Sequence, residues 1–117
     1  MGLFSDSKHE QVKTQILNEV ATINKSVREV ASIMDNSGVN INNFDRLNSI
    51  IEDVSNRKIL IVGLYDNFTA TQIQNFSVPW VDGRYMSLGM WDLSFCQILQ
   101  ETMTVINRFC DEYNSKL

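Results

Sequence analysis

Apolar residues recur at four-three spacing along the first third of the chain, at Ile16, Val20, Ile23, Val27, Val30 and Met34. That spacing places them on one side of a helix and predicts a rod over roughly 12–34. Leu17 and Ala31 widen the stripe. Asn24 and Ser26 stand beside it, where a two-stranded zipper carries charges, so a helix inside a bundle fits better. Ser7 and Glu10 have the spacing of a capping box, with Asp6 adding charge at the start. The stop is DNSG at 35–38, where Asn36 or Gly38 can take the left-handed conformation that ends helices.

The second stripe is Phe44, Leu47, Ile51, Val54, Ile61, Tyr65 and Phe68, with Asn42 or Asn43 as its cap. Lys58 fills one apolar slot, where a lysine is expected to snorkel its ammonium to water. Within this segment KILIVGLY also has the make-up of a buried parallel strand. No glycine-rich turn follows it and no second such run exists to pair with, so the expectation is a helix over about 43–67. Gly63 costs that helix about 1 kcal/mol and is compatible with close packing or a bend.

A third stripe covers about 91–113. Ser94 with Gln97 forms a capping box, and Leu93 with Ile98 the accompanying staple. Phe95, Cys96, Ile98, Leu99, Met103, Val105, Ile106, Phe109, Cys110 and Tyr113 then fill half the circumference. So wide an apolar face implies contact with both other helices, or a dimer face.

Between Asn67 and Gly89 the helical pattern fails. Thr69 and Gln72 can cap a short turn in ATQIQNF, Pro79 breaks any regular helix, and Asp82-Gly83 is a hairpin-turn signal between VPWV and RYMSL. The expected fold is therefore all-α: three long helices in an antiparallel bundle, with a long loop or small β-hairpin at about 69–90 between the second and third. The 117 residues are read as a single domain. Trp80, Asp82, Arg84, Tyr85, Met86 and Trp91 are the candidate partner-binding residues, because such side chains are enriched at the energetic centres of interfaces. The competing reading is a lid, Trp80 and Trp91 closing the open end of the bundle; for Trp91, directly before the third helix, the lid is the favoured reading.

Composition narrows the function. One proline and five glycines accord with few, long elements. A net charge of −4 with scattered basic residues argues against a nucleic-acid ligand. The longest apolar run, residues 59–65, is too short for a membrane span, and MGLFSDSKHE lacks the pattern of a signal peptide. It also holds Asp6 where a myristoylation signal needs Ser or Thr. Cys96 and Cys110 are too far apart on one helix for a disulfide and are expected to be buried, reduced thiols of a cytoplasmic protein. No metal-ligand or cofactor motif is present, His9 is the lone histidine, and no catalytic residues are assigned. The expected function is that of a small acidic non-catalytic interaction protein, which docks on, inhibits, chaperones or neutralises a larger protein partner in the manner of an immunity protein. A homodimer is compatible with it. The alternative is a small-ligand-binding protein or enzyme with a pocket near 77–91.

Overall fold

The computed structural model describes the backbone of residues 3–116 and the side chains of 9–116. The order is α1 (Leu3–Asn36), α2 (Phe44–Tyr65), α3 (Ala70–Asn75), β1 (Ser77–Pro79), β2 (Tyr85–Ser87) and α4 (Leu88–Ser115). Three long helices and a small antiparallel hairpin thus form the all-α bundle that the stripes predict.

α1 buries Val12, Ile16, Val20, Ile23, Val27 and Val30 along one side. It begins at Leu3, upstream of the expected cap, so Ser7 lies within the helix and its side chain lies outside the described residues. Gly38 ends the helix at φ +65°, its N–H reaching back to the carbonyls of Ile33 (3.2 Å) and Met34 (3.1 Å).

Asn43 precedes α2 but makes no side-chain cap, and neither does Asn42. Instead the Asn43 amide folds back on the loop. Its Nδ2 donates to Gly38 O (2.7 Å) and Ser37 Oγ (3.2 Å), and its Oδ1 accepts from Asn40 N (2.9 Å). The Asn40 side chain in turn accepts from the N–H groups of Asn42 (2.8 Å) and Asn43 (3.1 Å). The asparagines therefore fix the α1–α2 connection rather than a helix end.

ILIVGLY is helical. Of its apolar residues Ile61 is buried completely, while Ile59, Leu60 and Val62 face outward. A Cβ added at Gly63 meets nothing within 4 Å, so that glycine serves no close packing.

Thr69 and Gln72 form the reciprocal capping box of α3, Gln72 N donating to Thr69 Oγ1 (3.1 Å) and Thr69 N to Gln72 Oε1 (2.8 Å). α4 starts six residues before the expected cap at Ser94. Ser87, the last residue of β2, accepts from Met90 N (3.2 Å), so strand passes into helix with no intervening loop.

α4 runs antiparallel to α2, as contacts at its two ends require: Asp92 pairs with Lys58, and Phe109 meets Phe44 with ring centroids 5.6 Å apart. α4 covers only the C-terminal half of α1. Alongside the N-terminal half the third position is filled by α3 and the aromatic residues flanking it, and the hairpin follows beside α4. Phe68 stacks on His9 (5.6 Å) and meets Phe76 edge-on (6.1 Å), and the Lys13 ammonium lies 6.0 Å from the Phe76 ring. The result is an elongated body of 64 × 24 × 20 Å whose third rod is composite. No helix of the described residues is long and apolar enough to cross a membrane.

Candidate functional site

Asn24 is the one buried polar side chain among the described residues, 3 % exposed. Both ends of its amide are used. Oδ1 accepts from Trp91 Nε1 at 3.0 Å, and Nδ2 donates to the Pro79 carbonyl at 2.7 Å. One side chain on α1 thereby fastens both α4 and β1. Trp91 is fully buried and stacks parallel on Phe95 at 5.4 Å. It belongs to the core, apart from the exposed hairpin residues with which the sequence grouped it. A second tie lies one turn along α1, where Arg28 Nη1 donates to Val81 O at 3.0 Å. The hairpin accordingly lies against the middle of α1 and closes no end of the bundle.

The strands pair Ser77 with Ser87, Val78 with Met86, and Pro79 with Tyr85. Alternation turns Val78 and Met86 toward the core and Tyr85 outward. Trp80 N donates to Arg84 O (2.7 Å) and Gly83 N to Trp80 O (2.9 Å), closing a three-residue loop with Gly83 at φ +88°. That is the type I turn with a glycine bulge, a form that needs a residue free to adopt positive φ. Asp82 braces the loop from inside, accepting from Arg84 N (3.0 Å) and Arg84 Nε (2.6 Å). The Arg84 N–H, and after it the guanidinium, hold the Asp82 carboxyl below its ordinary range.

The sequence-predicted residues thus separate. Tyr85 is 70 % exposed, and the Arg84 and Asp82 side chains are open to solvent. Trp80 and Met86 are half-buried and pack on the core. Beside the loop, between α1 and α4, runs an apolar groove of about 200 Å³, walled by Val27, Met34 and Ile98, with Val81 and Arg28 on its hairpin side.

Two further expectations need correcting at the α2–α4 seam. Lys58 does not extend to water; its side chain, 16 % exposed, pairs with Asp92. Cys96 is exposed rather than buried, its Sγ 4.0 Å from Lys58 Nζ and 3.8 Å from Asp92 Oδ1, and Cys110 is half-buried. Both thiols are free. Nearby, Tyr65 has a buried hydroxyl without a hydrogen-bond partner among the described residues. Burial first, and then the charges of Asp92 and Cys96, push its ionisation well above the ordinary tyrosine value.

Sequence reasoning missed Asn24 and Arg28 as the residues that position the hairpin. A signal for Asn24 existed: a polar residue directly follows core Ile23, and a buried indole N–H elsewhere in the chain needs an acceptor. No family model, no curated protein and no solved structure matches this chain.

Proposed function

We propose that this chain is a non-catalytic protein-binding module whose recognition element is the hairpin turn, Trp80–Tyr85, together with the groove beside it. The observation that carries this reading is Tyr85, 70 % exposed on a hairpin that Asn24 and Arg28 hold against α1. An aromatic and an arginine in the open are the side chains that most often dominate interface energies. A preformed hairpin also spends little ordering entropy on association. The half-buried Trp80 supports the turn from beneath, while Tyr85 and Arg84 make the contact.

The groove separates this reading from the small-ligand alternative. Its volume of about 200 Å³ suits one or two side chains of a partner protein. Pockets for small molecules usually span about 300–1,000 Å³. In this reading the module acts by occupying its partner, as an inhibitor or chaperone does, in the cytoplasm.

The test is a capture experiment from the source cells with wild type and Tyr85→Ala, followed by affinity measurement on the protein recovered. Tyr85→Ala is expected to weaken binding by at least about tenfold, the effect of removing an interface hot spot. Its melting temperature should stay within about 2 °C, since an exposed side chain supports no core. Equal affinity for the two proteins would overturn the proposal.

A further inference from the structure

At the seam between α2 and α4 an amine, a thiol and a carboxylate meet. Asp92 and Cys96 stand one turn apart on α4, and Lys58 of α2 reaches across to both. Lys58 Nζ pairs with the Asp92 carboxylate and lies 4.0 Å from Cys96 Sγ, which in turn lies 3.8 Å from Asp92 Oδ1. Their accessibility differs in a way that matters for chemistry. Cys96 is exposed, so a small oxidant in water meets its sulfur directly, whereas the Lys58 side chain is 16 % exposed and held in the seam. Cys110, fourteen residues along the same helix, is about 21 Å away and beyond the reach of a disulfide. An oxidised Cys96 therefore has no thiol of its own chain to condense with. The nucleophile beside it is the Lys58 amine.

We propose that Cys96 is a peroxide-oxidised modification site whose product Lys58 captures, joining α2 to α4 through a sulfur–nitrogen bond. The chemistry runs in two steps. The Cys96 sulfur first attacks hydrogen peroxide: an S–O bond forms, the O–O bond breaks, and water leaves with the thiol proton. Sulfur is oxidised by two electrons to a sulfenic acid. Lys58 then gives one ammonium proton to solvent, and its nitrogen lone pair attacks that sulfur. The S–N bond forms, the S–O bond breaks, and hydroxide leaves as water with a second nitrogen proton. Sulfenic acids condense with nitrogen in this way to give sulfenamides. The 4.0 Å separation is close to the roughly 3–3.5 Å at which preorganised groups react, and the flexible lysine stem can turn to close the gap. The bridge exchanges an ion pair for a covalent tie between residues 58 and 96, which restricts the unfolded chain as a disulfide does. A dithiol reverses it, attacking the sulfur and releasing the nitrogen as the amine.

Mass spectrometry of the full chain, treated with a small excess of hydrogen peroxide, reads the result. The intact mass should fall by two hydrogens, the balance of the two steps. Trypsin should then fail to cleave after Lys58 and should release residues 58–84 joined to residues 85–108, the peptide that carries Cys96. Dithiothreitol should separate the two peptides. The bridged chain should melt at least about 5 °C above the reduced one. Cys110→Ser should leave these results unchanged. Lys58→Arg keeps a cation beside Asp92 but replaces the amine by a guanidinium, so oxidation should stop at a sulfenic acid that dimedone traps. Cys96→Ser, at an exposed position, should form no bridge and melt like the reduced wild type, even if Lys58→Arg perturbs the seam. A sulfinic acid at Cys96, or a disulfide between two chains, with Lys58 still cleaved by trypsin, overturns the proposal. An unchanged intact mass overturns it equally, as does a bridged chain that melts no higher than the reduced one.

Discussion

Asn24 decides how the non-helical segment sits. A side-chain amide has both a donor and an acceptor, and here each meets a group that burial would otherwise leave unpaired: the indole N–H of Trp91 and the carbonyl of Pro79. Asn24→Ala removes both bonds at once. Leaving such groups buried costs roughly 1–3 kcal/mol each, so the variant should lose about 2–4 kcal/mol and melt at least about 10 °C lower. Asn24→Asp is the sharper variant. It keeps an acceptor for Trp91 but turns a lone pair toward the Pro79 carbonyl, so it should also destabilise. Thermal denaturation of the two variants beside Tyr85→Ala checks this, and an unchanged melting point for Asn24→Ala would remove Asn24 as the fastening residue.

The elements are joined by different kinds of contact. α1 and α2 are linked by the apolar stripe and by Arg57, whose guanidinium reaches Glu19 at 2.9 Å and Asp53 at 2.9 Å. α2 and α4 are linked by the Phe44–Phe109 contact and by a largely buried ion pair. Lys58 is held by Asp92, itself only 28 % exposed at its side chain, so removing one partner strands the other in a poorly hydrated site. Lys58→Met should therefore lower stability by about 1–3 kcal/mol. The double variant Lys58→Met with Asp92→Leu should recover most of the loss, because a buried pair is readily replaced by apolar groups of similar size. Urea titration of the four members of that cycle measures the coupling, and additive losses would show that the pair contributes nothing. The sequence marked Lys58 as out of place on its stripe; which acid it met was a matter of the register between α2 and α4.

At the scale of the molecule, one long helix serves two different neighbours. α4 and the hairpin pack beside the C-terminal half of α1, meeting at Asn24, while α3 and the aromatic residues flanking it pack beside the rest. If the hairpin is as fixed as its bonds imply, it opens with the core. The amides of Trp80 and Leu88, bonded to Arg84 O (2.7 Å) and Phe76 O (2.8 Å), should then show hydrogen-exchange protection close to that of Ile16–Val27. Residues 111–115 of α4, exposed throughout, should exchange fast. Hairpin amides that exchange as fast as that segment would show the turn to be mobile, and the case for a preformed recognition element would fall.

The helical rods were legible in the amino-acid order because a period of 3.6 residues is a local property, repeated over many turns in α1, α2 and α4. The capping box of Thr69 with Gln72 and the turn at Asp82-Gly83 were legible for the same reason, since each is complete within a few residues. The start of α4 was not. Ser94 and Ser87 both have the chemistry of a cap, and the burial of Trp91 on Asn24, 67 residues away in sequence, requires the earlier one. Exposure of Cys96 and of Ile59 was equally hidden, because apolarity says that a side chain gains by burial and not whether a neighbour arrives to bury it. Local periodicity by itself determined the rods and the break between them. Only the tertiary structure decided that the break fills the missing half of a third rod, since that follows from contacts made across the whole chain.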